Sequence, residues 1–317
     1  MLKKLKQKVI ISIVVAGVLY LGFTIYADFS NVVDAFSEFN FLLLPILLLL
    51  SFFNYFARFL KWDYYLKVVK VKMKKIDSLS TFMSGLIMSV TPAKLGEVLK
   101  SVLVKEITGI PISKTAPIVL AERITDFLSL LIIAISGAIV FNFGGDVTII
   151  VATFFFFVII ILSNKKIAIP IINLLEKIPL IKKYIHNIHL AYESSYQLLK
   201  LKPLILMTLL SLFSWGFECF GYYLILLSFN VDFGLLWASF SYSFSTIVGA
   251  ISMLPGGLGL TEGSLTFLLV QKKVPVDISV ATTFIVRVVT LWFAVLVGII
   301  SLTLYQKKFG QITNDSI

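Results

Sequence analysis

The sequence predicts an all-α polytopic membrane protein: one integral domain of about six full transmembrane helices plus two re-entrant helical hairpins, arranged as an inverted repeat. Three observations carry this. Of 317 residues, 58% are hydrophobic and only 14% charged, and the mean hydropathy is +0.97; a soluble domain is roughly 25% charged. Apolar stretches near the ~20 residues needed to cross hydrocarbon recur along the chain. Two further apolar stretches stop at Pro/Gly breaks that resemble each other. The same composition excludes an ordinary water-soluble enzyme. One cysteine (Cys219) excludes a disulfide framework or thiolate cluster, and two histidines exclude a His-rich metal site, so no cofactor or metal is expected. The formal charge of +11 fits a membrane surface better than nucleic acid in so apolar a chain.

The clear spans run over 9–27, 39–57, 115–141, 147–163, 203–229 and 278–304. The first follows Lys3, Lys4, Lys6 and Lys8, but it is long for a signal core and lacks a small-residue cleavage site, which reads as a retained anchor. Apolar stretches near 78–91 and 234–254 end at SVTPAKLGE (89–97) and SMLPGGLGLTE (252–262). The chain therefore divides into an N-terminal anchor (1–38), a first repeat (39–141), a linking span with a cytoplasmic amphipathic segment (142–202), and a second repeat (203–305). In the segment from about 173 to 200, Ile185, Ile188 and Tyr192 share one stripe, as in an interfacial helix. His186 and His189 there read as a solvated edge rather than half a metal site.

Lysine and arginine crowd 58–75 and 164–202 and are missing from 28–38, 141–146 and 230–232. The positive-inside rule then puts both chain ends in the cytoplasm of a cell-membrane protein, provided each broken segment returns on its own side. Lys272 and Lys273 are the exception, falling outside.

Pro92 to Gly96 and Pro255 to Gly259 are both four steps, and Pro111 to Arg123 and Pro275 to Arg287 are both twelve. Glu97 and Glu262 follow their breaks, with a one-residue gap between the copies. Upstream, Tyr64-Tyr65-Leu66 matches Tyr222-Tyr223-Leu224 loosely. With the charge rule, the halves read as inverted copies, the pattern of secondary transporters. Pro92 and Pro255 interrupt helices, while Gly96, Gly256, Gly257 and Gly259 permit tight turns and close backbone approach. Helix N–H groups restarting near Glu97 and Glu262 would form an anion cradle.

Ionisable residues inside spans each cost ~2.5–3.5 kcal/mol at a helix centre, so they need partners or water. Glu122, Arg123 and Asp126 lie near the start of one span, Glu218 within another, and Arg287 in the last. Either these charges neutralise one another and lock helices together, or Arg123 and Arg287 flank a site for an anionic head group, since an arginine fork binds phosphate bidentately. Arg58 and Lys61, beside Trp62 at the end of the second span, read as interface anchors or as a cationic mouth. Lys94 and Lys100 bracket the first break, and Glu97 and Glu262 either answer nearby cations or carry a coupling proton. No catalytic motif accompanies these residues, so no enzyme activity is expected.

The motifs RFLKW (58–62), TPAKLGE (91–97) with Lys100, AERITD (121–126), LPGGLGLTE (254–262) and Arg287 together resemble the lysylphosphatidylglycerol synthase transmembrane-region family, also called flippase-like integral membrane proteins. The resemblance covers roughly 5–305. Its best-understood members are multiple peptide resistance factors, whose membrane half moves lysyl-phosphatidylglycerol to the outer leaflet while a separate soluble domain attaches the lysine. This chain stops soon after its last span, so the resemblance implies lipid transport without aminoacylation. Other relatives handle polyprenyl-linked or glycosylated lipids. The expected cargo is thus an anionic phospholipid or a polyprenyl-phosphate-linked lipid; the alternative is a membrane subunit supporting a glycosyltransferase or lipid-modifying synthase. Thr261 stands where the family often carries Arg or Lys, which leaves the head group open.

Overall fold

A computed structural model describes residues 2–91, 96–176 and 184–310. Every regular element among them is helical. Pro92 and Lys94 lie outside the described residues. The N-terminal helix α1 (Leu2–Tyr26) meets α2 (Phe29–Glu38) at a bend of 97°. Asp28 makes that corner, with φ +63° and a carboxylate accepting the Ser30 N–H at 3.1 Å. Ile11, Val18, Leu21 and Ile25 on α1 are exposed, as a lipid-facing helix requires.

The first half runs α3 (Leu44–Val68), α4 (Lys75–Gly85) with the tight turn Leu86–Val90, the break, α5 (Leu99–Thr108) and α6 (Ile112–Phe141). Among the described residues, three helices link the halves: α7 (Gly145–Ser163), α8 (Lys165–Glu176) and α9 (Ile185–Leu198). The second half repeats the order: α10 (Leu201–Ser228), α11 (Gly234–Ile251), the break with its turn Pro255–Gly257, α12 (Leu260–Gln271) and α13 (Val276–Arg287). A wide turn, Val288–Trp292, carries α13 on into α14 (Phe293–Phe309).

Among the described residues, six helices are long and apolar enough to cross a membrane, and a seventh crossing exists if the bent α1–α2 pair is one span. The number matches the sequence reading but the membership differs. The 18-residue Gly234–Ile251 is long enough to cross, and 9–27 enters only as part of the bent pair. Its first-half counterpart α4 has 11 residues.

Corresponding helices end alike. α3 closes with Lys70 at φ +58° and the Val71 N–H on the Leu66 carbonyl; α10 closes with Asn230 at φ +57° and the Val231 N–H on the Leu226 carbonyl. These caps are 160 positions apart, so the tyrosine pairs, 158 apart, are two residues out of register. α3 and α10 also run antiparallel. The Asn40 N–H reaches Ser228 Oγ at one end, Phe53 meets Phe217 in the middle, and Lys61 Nζ reaches Ser211 Oγ at the other. At the crossing, Asn54 Nδ2 donates to the Ser214 carbonyl (3.0 Å) and Ser214 Oγ donates to the Asn54 carbonyl (3.2 Å). These two are again 160 apart, the same offset as the two helix caps.

The longer contacts are reciprocal as well. α14 of the second half lies along α4 and its turn, where a β-carbon on Gly298 would stand 2.1 Å from the Ile87 nitrogen. α6 of the first half lies along α11, where a β-carbon on Gly137 would stand 2.3 Å from Phe240 Cβ. The two breaks meet between the halves: Gly256, at φ +61°, approaches the Val90 backbone. Both ends of the α4–α5 hairpin border one groove of about 450 Å³, lined by Lys70, Lys72, Lys74, Asp77 and Thr108. Lys308, near the end of α14, bridges Asp77 at 2.6 Å and so puts the C-terminal end of that helix on the same lysine-rich side. Lys272 lies over the Phe141 ring at the opposite, lysine-poor end.

Two sequence readings need correction. Arg58, Lys61 and Trp62 do not sit at a membrane interface: α3 continues to Val68, and all three are buried. Charges survive there because α6 supplies carboxylates, whereas hydropathy reads any charge as the end of a span. The stripe of Ile185 and Ile188 does not face lipid either. It packs with Ala168, Ile172 and Tyr192 between α9 and α8, and α9 also lies along α6. The stretch 177–183, including Pro179, lies outside the described residues.

Candidate functional site

Most of the buried charged residues gather in two unequal clusters, one per half. The first stands where α3, α5 and α6 converge just after the break. Lys61 Nζ reaches Asp126 Oδ1 (2.5 Å), Ser211 Oγ (2.6 Å) and Thr125 Oγ1 (3.3 Å). Lys100 Nζ reaches Glu122 Oε2 at 2.5 Å and Glu97 Oε2 at 3.6 Å, between the faces of Trp62 and Phe82. Arg123 pairs with Glu97, and its Nη1 lies 3.9 Å from Asp126 Oδ2. The helical spacing explains the sharing: Glu122 and Asp126, four apart on α6, face α5 and α3 respectively.

Arg58 is held more loosely than the other cations. Its Nη2 is 3.9 Å from both Glu97 Oε1 and Asp126 Oδ2. Among the described residues, Arg58 Nε and Arg123 Nε have no hydrogen-bond acceptor although both are buried. Among the described residues, four cations meet three carboxylates here, and Arg123 alone of these seven keeps an appreciable edge toward the surface, with 17% of its side chain exposed. A polar row approaches the cluster along α4: Ser78, Thr81 and Ser84 are fully buried, with hydroxyls lacking partners among the described residues. Gly85 on the next step leaves room for the Lys100 stem, since a β-carbon there would stand 2.5 Å from Lys100 Cγ. Gly96 is packed against Met88 and Thr91, and Thr91 Oγ1 accepts its N–H at 3.0 Å.

The second cluster repeats the Arg–Glu pair and little else. Arg287 Nε donates to Glu262 Oε1 and its Nη2 to the Gly256 carbonyl, both at 2.6 Å. Glu262 Oε2 accepts the Gly259 N–H at 2.7 Å, so the helix restart expected to cradle an external anion is answered by a carboxylate of its own helix. Gly256, Gly257 and Gly259 all hold positive φ, which the side chains of other residues resist. Pro255 opens the turn. Lys61, Glu122 and Asp126 have no charged counterparts here: positions 221, 286 and 290 are Gly, Val and Thr.

The structure thus joins Arg123 to Glu97 and Arg287 to Glu262, the same pair in both halves, and brings Arg58, Lys61, Lys100, Glu122 and Asp126 to the first of them. Sequence reasoning missed Tyr20, Tyr242 and Ser211. The Tyr20 hydroxyl reaches Glu262 Oε1 at 3.4 Å and accepts from Trp292 Nε1 at 3.1 Å, so the N-terminal helix completes the second cluster. Tyr242 donates to Glu218 Oε2 at 2.7 Å. A hydroxyl midway along an apolar helix is the only signal that could have marked these residues. Among the described residues, no group of three or more His, Cys, Asp or Glu could hold a metal ion.

Comparison with known proteins agrees with this membrane architecture. A "UPF0104 membrane protein" of Methanocaldococcus jannaschii is 29% identical over 231 residues, covering 69% of this chain and 94% of its own length. A protein of the same description from Methanothermobacter thermautotrophicus is 24% identical over 238 residues, covering 69% of this chain and 70% of its own. The model of the lysylphosphatidylglycerol synthase TM region matches residues 9–298, and with nearly the whole membrane domain covered, the chain belongs to that family.

Proposed function

We propose that this protein carries an anionic lipid, a phospholipid or a polyprenyl-phosphate-linked lipid, between the leaflets of the cell membrane, with both chain ends cytoplasmic and without chemistry of its own. The observation that carries the reading is the first cluster: among the described residues, four cations, three of them buried, stand against three carboxylates, and two guanidinium N–H donors lack acceptors. A phosphodiester supplies one negative charge and several acceptor oxygens, which matches that surplus. Exposing such a head group to hydrocarbon is prohibitive, and a polar groove that shields it while the tails stay in lipid removes the barrier.

In this reading Arg58 and Arg123 hold the phosphate with Lys61 and Lys100 behind them, and Glu97 is the internal anion that the phosphate displaces. The antiparallel, reciprocally packed halves support an inverted repeat with re-entrant hairpins whose tips meet at mid-membrane. In the opposite-facing state Arg287 takes the part of Arg123 and Glu262 that of Glu97. The test is reconstitution in liposomes with fluorescent anionic lipids of several classes. The intact chain should raise leaflet exchange above that of empty vesicles, while Arg58→Ala and Arg123→Ala should lower it at least tenfold. Exchange equal to that of empty vesicles for every lipid class overturns the proposal.

A further inference from the structure

Glu218 lies in the middle of α10, buried, one turn from the Asn54–Ser214 contact. It stands 160 positions after Arg58, so the two halves carry opposite charges at equivalent places. Glu218 is within electrostatic reach of Arg58 and Tyr55 on α3. The other charged groups on helices packed against α10 are Lys61 on α3, Glu122, Arg123 and Asp126 on α6, and Arg287 on α13, with Asp63 and Lys67 of α3, Lys114 of α6 and Asp277 of α13 nearer the helix ends. Arg287 and Glu262 balance each other, and Glu218 balances the single surplus cation of the first cluster. Counting Glu218 with both clusters, five cations then meet five carboxylates among the described residues.

The proton-coupling role of Glu218 rests on the head-group reading. An anion arriving among Arg58 and Arg123 leaves one negative charge too many in a low-dielectric interior, and a buried carboxyl relieves such an excess by taking a proton. Glu122, Asp126 and Glu262 each meet a cationic nitrogen, and Glu97, once the phosphate displaces it from Arg123, still faces Lys100 Nζ at 3.6 Å, so protonating any of them would leave an ammonium or guanidinium without its counter-charge. The partner of Glu218 on α11 is a phenol. A phenol both donates and accepts, so Tyr242 can bond the carboxylate as donor and the carboxylic acid as acceptor without leaving its place. We infer that Glu218 is a proton-binding site coupled to the head-group site: each anion that enters the Arg58–Arg123 cluster is accompanied by one proton taken up from water onto Glu218.

Calorimetry on the purified full chain tests this, with dioctanoyl-phosphatidylglycerol and a short prenyl sugar phosphodiester as probes. Each titration is run in two buffers of different ionisation enthalpy, which counts protons directly. The expected result is uptake approaching one proton per bound lipid, with affinity falling by up to about tenfold per pH unit as pH rises through the coupled range. Glu218→Gln keeps shape and hydrogen bonding. It should bind at least as tightly as the parent, take up no proton and lose the pH dependence. Binding by the parent chain without proton uptake overturns this inference and leaves the head-group site standing. Failure of both probes to bind at any pH overturns the head-group site and the inference with it. The proton count on the parent chain needs no variant, so a Glu218→Gln protein that fails to fold does not blunt the test.

Discussion

Lys100→Met separates a charge network that holds the fold from one that merely sits in it. The ammonium of Lys100 is 2.5 Å from Glu122 Oε2 and 3.6 Å from Glu97 Oε2, with its centre 4.9 Å from Trp62 and 5.1 Å from Phe82. Methionine fills the stem's space beside Gly85, so the change removes charge and little volume. It leaves Glu122 buried without its cation, and breaking a buried pair from one side costs about 3–5 kcal/mol. At about 2–4 °C per kcal/mol for a chain of this size, the unfolding midpoint should fall by about 6–20 °C. Adding Glu122→Gln removes the stranded charge, and the double variant should recover to within about 2 kcal/mol of the parent. Fluorescence-monitored thermal unfolding in one detergent reads all three proteins. A single variant within about 2 °C of the parent, or a double variant no better than the single, would refute the pairing argument.

Packing and the water-facing surface set the other expected outcomes. Gly298→Ala drives a methyl into the Ile87 backbone, which cannot swing aside, and should cost about 1–3 kcal/mol by thermal unfolding. Gly216→Ala on α10, where nothing lies within 4 Å of the new methyl, should be neutral or slightly stabilising. Outside the membrane segments, the hydrogen bond from Lys165 Nζ at 2.7 Å holds the Glu193 carboxyl below its usual range, and the same bond raises Lys165. A depressed carboxylate contributes stability above its unfolded pKa and loses it as pH falls through the folded one, so the pair should dissolve on acidification below about pH 4. Carboxyl NMR titration should find Glu193 returning to an ordinary glutamate value in Lys165→Ala.

The parts of the fold written in local chemistry were legible. Pro111 to Arg123 and Pro275 to Arg287 share a spacing, and the structure turns that spacing into two Arg–Glu pairs, each reaching back to the glutamate after a break. The glycines of the second break announce their positive φ by having no side chain. Arg58 and Lys61 were misplaced because a sequence shows a charge but not the carboxylate on another helix that tolerates it. Asp126 is 65 residues from Lys61. The stripe on α9 was read as lipid-facing for the same reason, its true partners being on α8 and α6. The tyrosine match two residues out of register shows the limit of self-comparison in an alphabet rich in Phe, Tyr and Leu. Glu218 and Tyr242 stand 24 apart on different helices, and no periodicity connects them.

If the halves rock against each other in transport, the mutual bonds between Asn54 and Ser214 would serve as the fulcrum. A rocking motion about that point would leave the two hydrogen bonds almost unstretched, while contacts at the rims, such as Lys308 with Asp77 and Lys272 over Phe141, would take nearly all of the travel. The middle could then stay tied while the molecule tilts, and the barrier to tilting would be set by what lies away from that point: the rim contacts and the close glycine seats of α14 on α4 and of α6 on α11.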